Sequence, residues 1–261
     1  MILIIKWPKM KRIELQLKKN KKAYFAGDFH SGKPDNKLSL EREKKIIEWL
    51  EIIKVDAQEL FLMGDVFDFW FEYKHVVPKD YFKLLSKISE LIGSGINVHY
   101  FKGNHDLWTL DYFEKLGIKL YDQPQSLKLD NKKILVGHGD GLGSGDLGYK
   151  ILKRIFTNSI CQKLFRLIHP DIGIRLGKYF SRSHKKNNNS NAKKNNARII
   201  KYCKNYERNN HNDAYIFGHS HYISKETISN DSRYYNTGDW MNNSNYLEFY
   251  SNKFKIKKFN L

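Results

Sequence analysis

Six short runs of β-branched and aromatic residues punctuate the chain: Ala23–Ala26, Glu59–Met63, Val98–Lys102, Ile134–Val136, Ala214–Phe217 and Tyr234–Asn236. Runs of this length and composition predict strands. Between them, apolar residues return at three- and four-residue spacing over about Ser39–Val55, Lys79–Ile92 and Asp146–Ile168, which predicts helices with one apolar side. Strands alternating with helices predict an α/β fold, or a layered α+β one. The early stretch "MKRIELQLKKNKKAYFAG" predicts two short strands around a Lys-Asn turn. The closing "YLEFYSNKFKIKKF" predicts a hairpin around Ser251-Asn252. No repeat is visible. One stretch breaks the pattern: Arg175–Lys204, with "SRSHKKNNNSNAKKNNAR", is rich in Lys, Arg, Asn and Ser. It reads either as a mobile, solvated linker or as an inserted cap element.

Five of the strands end alike. They read "YFAGDFH" (Asp28, His30), "LFLMGDVFD" (Asp65), "VHYFKGNHD" (Asn104, His105), "ILVGHGD" (His138) and "AYIFGHSH" (His219, His221), each with a glycine before the first polar residue. Ligand sites of open α/β sheets lie beyond the carboxyl ends of strands, so these endings bring two Asp, one Asn and several His to one edge. Carboxylate, carboxamide and imidazole donors without thiolate suit Mn, Fe, Zn or Co. They are too many for one ion beside substrate and water. They suit two ions about 3.5–4 Å apart that share a carboxylate. D-x-H and H-x-H spacing in extended chain puts both side chains on one face. A lone His is ordinarily a core or surface residue, but here five of the ten histidines fall at matching strand ends.

Composition narrows the setting. With 261 residues, 41% hydrophobic and 14% aromatic, the chain can bury a large core. The formal charge of +18 predicts attraction to nucleic acid, an acidic membrane or a phosphorylated substrate, while biased base composition is the plainer source of so much Lys and Asn. Cys161 and Cys203 stand apart, outside any CxxC, and fit a reducing compartment. The start "MILIIKWPKM" has four consecutive apolar residues, too few for a signal-peptide core, and no run approaches the roughly 18 of a membrane span. A translation start at Met10 is compatible with this, because residues 1–9 add little. The expected place is the cytoplasm or the inner face of a membrane.

In their order, D-x-H, GD-x-x-D, GNHD, GH and GH-x-H resemble the calcineurin-like metallophosphoesterase superfamily, from Asp28 to His221. The resemblance implies a two-sheet β-sandwich flanked by helices. It implies one metal held by Asp28, His30, Asp65 and His221 and a second by Asp65, Asn104, His138 and His219, with Asp65 bridging. Two divalent ions, expected as Mn2+, would neutralise the charge that develops as phosphorus is attacked in line. His105 is expected to act in catalysis at a phosphoryl oxygen or the leaving group. Asp106 is expected beside it, to orient His105 or to tie the loop.

After His138 the chain reads "GHGDGLGSGDLGYKILKRIF". Its G-x-G-x-x-G fails as a dinucleotide fingerprint, since no acidic strand end follows about 20 residues later. Instead "HGD…D-x-x-Y" (His138, Asp140, Asp146, Tyr149), "GDVFDFWFEYK" and "NTGDW" are similar to the UDP-2,3-diacylglucosamine pyrophosphatase family, in its Bacteroidetes-like branch, over roughly residues 22–240. That resemblance implies a UDP-linked glycolipid substrate touched by Asn104, His105, Asp146, Tyr149 and His219. It implies a single domain over 1–261 with a helical cap or insertion at 146–210, peripheral on the cytoplasmic face of the inner membrane. Nucleic acid is not an expected partner, because no basic-aromatic recognition module is present. The basic, amphipathic segment from Asp146 to Ile168 suits a membrane surface or acyl chains, or packs on the core. The aromatics Phe67 to Tyr73 line an acyl groove or belong to the core. One departure stands out: better-known enzymes of this activity carry Arg where this chain has His105. The rival readings are a phosphoesterase of other specificity, acting on cyclic nucleotides or nucleic acid, and a non-catalytic scaffold.

Overall fold

Ala23, Phe25, Phe61 and Leu62 are completely buried because the strands that carry them are covered on both faces, which is why Ala23–Ala26 and Leu60–Met63 read as unbroken apolar runs. The computed structural model describes residues 13–33, 36–122, 124–183 and 189–260. The expectations for residues 1–9 and for a start at Met10 lie outside these. In chain order the strands are β1 (Ile13–Leu15), β2 (Lys22–Ala26), β3 (Ala57–Leu62), β4 (Asn97–Phe101), β5 (Lys119–Tyr121) and β6 (Gln125–Leu129). Then come β7 (Lys132–Gly137), β8 (Ala214–Phe217), β9 (Ser224–Ser229), β10 (Ser232–Asn236), β11 (Asn245–Tyr250) and β12 (Lys253–Lys258). The helices are α1 (Asn36–Ile53), α2 (Phe82–Gly93), α3 (Tyr112–Lys115), α4 (Leu147–Phe156), α5 (Ser159–Phe165), α6 (Pro170–Ser183) and α7 (Asn189–Glu207).

Among the described residues the strands form two six-stranded mixed sheets, ordered β12-β11-β2-β3-β4-β5 and β1-β6-β7-β8-β10-β9. In the first, β2 to β5 run parallel. In the second, β7, β8 and β10 do. The sheets face each other across Phe25, Phe61, Phe101, Val136, Ile216 and Leu247, with Phe25 stacked on Phe61 at 4.4 Å between centroids. Trp49 and Leu50 of α1 and Leu84 and Ile88 of α2 cover the outer face of the first sheet. Ile199 and Cys203 of α7 cover the second, against Leu135 and Tyr215. The architecture is the expected helix-flanked sandwich.

Three details differ from the sequence reading. The two strands around Asn20 do not pair: β1 joins β6 in one sheet and β2 joins β3 in the other. The predicted Asp146–Ile168 helix is two, because the Asn158 side chain accepts from the backbone N–H of Ile160 (2.9 Å) and Cys161 (3.1 Å) and starts a new helix there. The basic stretch at 175–204 belongs to α6 and α7, so it is not the solvated linker, although residues 184–188 lie outside the description. Chain length between β7 and β8 is thus taken up by α4 to α7.

Candidate metal centre

The parallel strands β2, β3, β4, β7 and β8 all release their chains at the same end of the sandwich. The loops they feed are stitched together by the backbone: Asp28 N–H donates to Gly64 O, His30 N–H to Asp65 O, and Gly218 N–H to His138 O, at 2.8–2.9 Å. The glycines before the donors are there for space. A Cβ on Gly103 would overlap the Asp65 carboxylate, and one on Gly218 would sit 2.5 Å from Asp28 Oδ2. Asp28, His30, Asp65, His219 and His221 all have left-handed backbone, with φ between 46° and 65°. The pairs 28/30 and 219/221 therefore share a face through this local coiling, not through the extended alternation that their spacing suggests. Each such residue costs on the order of 1–2 kcal/mol.

The donors converge. One ligand atom each of Asp28, His30, Asp65 and His221 lies within 4.8 Å of the others, and Asp65, His138 and His219 form a second such group. Asp65 belongs to both. His30 Nε2 and His221 Nε2 are 3.0 Å apart, and His221 Nε2 is 3.2 Å from Asp28 Oδ1. On the other side Asn104 Oδ1 lies 2.9 Å from His219 Nδ1 and 3.3 Å from His138 Nε2, with Asp65 Oδ2 3.4 Å from His138 Nε2. Neighbouring ligands on an ion with bonds of about 2.1 Å stand ~3 Å apart, so these spacings fit cation coordination. The outer atoms support it. His138 Nδ1–H donates to Met63 O at 2.7 Å, leaving Nε2 as the donor to the site. His221 Nδ1 faces Asp239 Oδ2 at 3.4 Å.

The electrostatics agree. Burial opposes charge on His138, yet Asp65 raises it to about 10. Burial likewise opposes charge on His221, but Asp239 and Asp28 raise it to about 10. Burial pushes His30 well below the usual histidine range and, with His138, lowers His219 to about 4. Asp65 is held well down by His138 and His105 despite its burial. The neighbouring carboxylates favour positive charge at this site against its burial, and the nitrogen and oxygen donor set fits divalent ions.

The sequence model described as calcineurin-like phosphoesterase matches residues 21–222. The chain is a calcineurin-like phosphoesterase. It is 32% identical over 242 residues to a UDP-2,3-diacylglucosamine hydrolase of Porphyromonas gingivalis, covering 86% of this chain and 92% of that protein. A protein of the same name from Haemophilus influenzae is 26% identical over 161 residues, 60% of this chain and 64% of its own length. One from Proteus mirabilis is 29% identical over 143 residues, 54% and 59%. The chain is accordingly a metal-dependent hydrolase with divalent ions as cofactor.

In this phosphoesterase the residues beside the donors divide by what their side chains touch. His105 holds its backbone N–H on Asp65 Oδ1 (2.9 Å) and its ring beside His30, the centroids 4.9 Å apart. Asp106, expected in catalysis, faces the other way. It is fully buried, and its carboxylate accepts from Gly103 N–H (2.5 Å), Val66 N–H (3.0 Å) and Tyr100 O–H (2.5 Å). It ties the loop and does not orient His105. Burial and the nearby Asp65 raise it to about 6. The carboxylate beside His105 is Asp68, whose backbone O lies 2.8 Å from Nδ1. Asp68 and Asp239 are the residues that sequence reasoning missed as site members. They stand in the quoted GD-x-x-D and NTGDW stretches, where they served as family marks only.

Two expected substrate contacts are engaged elsewhere. Tyr149 O–H donates to Asp140, which Lys153 also meets at 2.5 Å, so Tyr149 fastens α4 to the His138 loop. Lys153 and His138 lower the Asp140 carboxyl against its burial. Asp146 is exposed and accepts from Arg198 of α7 at 2.7 Å. Of the aromatics at 67–73, Phe67, Trp70 and Phe71 are buried core and not an open groove.

Proposed function

We propose that this phosphoesterase hydrolyses the pyrophosphate bond of UDP-2,3-diacylglucosamine to UMP and 2,3-diacylglucosamine 1-phosphate, with two Mn2+ ions, from a peripheral seat on the cytoplasmic face of the inner membrane. The observation that carries this reading is the covering of α4 and α5, which bury no residue at all. Ile151, Ile155, Ile160, Leu164 and, just beyond, Leu167 are 49–82% exposed, and Arg154, Lys163 and Arg175 are exposed beside them. Water-soluble proteins seldom leave so much apolar surface open without a use, and basic rims suit anionic head groups. Among the described residues no helix is long and apolar enough to cross a membrane, so contact would be from the side. The region 146–210 is then a cap on a single domain, carrying the acylated end of the substrate. The names of the relatives support the same substrate.

The residues divide the work. Asp28, His30, Asp65 and His221 would hold one ion, and Asp65, Asn104, His138 and His219 the other. The ions supply Lewis acidity and an activated water when bound. Asp65 would serve both ions, because the two donor groups share its carboxylate. Asn104 would contribute a neutral oxygen, where one more carboxylate would over-neutralise the two ions. His105 stands beside the donors with Nε2 4.0 Å from Asp65 Oδ2, placed to meet a phosphoryl oxygen or to protonate the departing phosphate. Asn104, His105 and His219 would contact the reacting phosphate, while Asp146 and Tyr149 act from the cap side, holding it in place. Overall one water adds across the P–O–P link and one bridging P–O bond breaks.

The test is one comparison. The protein, loaded with manganese, is offered UDP-diacylglucosamine, a cyclic nucleotide and single-stranded DNA. Cleavage of the glycolipid, lost with chelator and regained with manganese, is the expected result. Cleavage of only the other two would refute the substrate, and no cleavage with two ions bound would favour a scaffold.

A further inference from the structure

On α6, Gly173, Gly177 and Ser181 recur every four residues and so lie along one face. The face is in close contact with the segment that follows Asp68. A Cβ on Gly173 would overlap the Tyr73 hydroxyl, and one on Gly177 the Phe69 ring. The third member of the row is a serine because there the helix meets the site. Ser181 Oγ lies 2.8 Å from Asp68 Oδ1, 2.7 Å from Asp68 O and 2.8 Å from His105 Nδ1. Asp68 O is also 2.8 Å from His105 Nδ1.

The hydrogen positions follow from the acceptors. A carbonyl can only accept, so Nδ1 of His105 carries the hydrogen, shared between Asp68 O and Ser181 Oγ. The serine hydroxyl hydrogen then goes to Asp68. His105 Nε2 is left facing the donors, 4.0 Å from Asp65 Oδ2, so the proton a general acid delivers would travel on Nε2 while Nδ1–H stays bound. Asp68 and Ser181 are 113 residues apart in sequence, so this arrangement exists only when α6 is seated.

We propose that Ser181 is a positioning residue: through it the last turn of α6 fixes the orientation and tautomer of the His105 ring. This rests on the reading that His105 serves the hydrolysis. Without the hydroxyl, the ring keeps one partner on Nδ1, the Asp68 carbonyl, and a ring held at one point samples more than one orientation. Misplacement on that scale slows a reaction without weakening substrate binding.

The experiment uses the metal-loaded protein with the soluble diester bis(p-nitrophenyl) phosphate, and the metal-free protein with 15N-labelled histidine for NMR. Ser181→Ala is expected to lower kcat about tenfold, with KM within about twofold and two ions still bound. Ser181→Thr, which keeps the hydroxyl, is expected to restore most of the rate. In a His105→Gln background Ser181→Ala should cost nothing further, since the ring it positions is gone. In the metal-free spectrum wild-type His105 should show a protonated Nδ1, and Ser181→Ala a mixture of tautomers. A rise in KM at unchanged kcat would make Ser181 a substrate contact and overturn the proposal, as would multiplying losses in the double variant or an unchanged tautomer. These readouts need no glycolipid. A failure to cleave UDP-diacylglucosamine would count against the substrate assignment alone.

Discussion

Asn104 and His105 are neighbours in the chain and have separable effects. His138 Nε2 and His219 Nδ1 both approach Asn104 Oδ1, so Asn104→Ala removes a shared point of their group. Its second ion should be lost at concentrations where the wild type retains two, by a margin of at least the ~10–100-fold typical of outer-layer changes; equilibrium dialysis with metal analysis measures this. His105→Ala leaves every donor in place. It should keep two ions and lose roughly 10²–10⁴ in turnover. The donors were legible in the sequence because a glycine followed by Asp, Asn or His at a strand end is a local pattern. What surrounds His105 was not. Asp106 is adjacent in sequence, yet its carboxylate meets Tyr100 and backbone N–H groups, while Asp68 and Ser181 come from distant chain.

At the scale of elements, α4 to α6 carry the features that spacing alone misjudged. The apolar period runs through Thr157 and Asn158 without a break, so only the asparagine cap marks the division. Leu164 of α5 and Leu167 just beyond it are 61% and 82% exposed, whereas Phe165 packs on Phe71 and Trp108, each at 4.8 Å. Replacing Leu164 and Leu167 by Ser should therefore reduce sedimentation with anionic liposomes and spare hydrolysis of a soluble diester. Equal loss of both would mean that these side chains are structural. Phe165→Ser, by contrast, should damage both. The glycine row gives a second prediction. Gly177→Ala sets a methyl group against Phe69 and should destabilise the seat of α6 by about 1–3 kcal/mol. Faster protease cleavage within α6, with the sheets still resistant, would report it.

Across the whole molecule, stability should depend on pH through His99, which lies between the sheets. Its ring stacks on Phe61 at 4.5 Å, and its nitrogens meet Glu59 Oε2 at 2.8 Å and Tyr121 O–H at 3.0 Å. Burial lowers its pKa below the usual value, although Glu59 pulls the other way. The unfolded chain takes up a proton at this residue near pH 6.5, and the folded chain does so only at lower pH. In that window the unfolded state binds more protons, so the contribution is full above about pH 6.5 and is lost as pH falls toward the folded value. Urea midpoints at pH 7.5 and 5 should differ less for His99→Gln than for the wild type; an equal difference would rule His99 out as a cause. The sandwich itself was legible, because β2 and β3, in the middle of its first sheet, carry the apolar runs Ala23–Ala26 and Leu60–Leu62. The edges were not: β9 reads Ser-Lys-Glu-Thr-Ile-Ser, and only pairing with β10 makes it a strand.

The left-handed backbone at Asp28, His30, Asp65, His219 and His221 sets stability and activity against each other in any mutant library. Glycine adopts that conformation freely and asparagine tolerates it. A collection of variants screened for folding alone should enrich Gly and Asn at these five positions. The same collection screened for hydrolysis should reject them. Chains recovered from the first screen are expected to melt higher without metal and to bind fewer ions, so the positions where the two screens disagree would trace the centre with no substrate in hand.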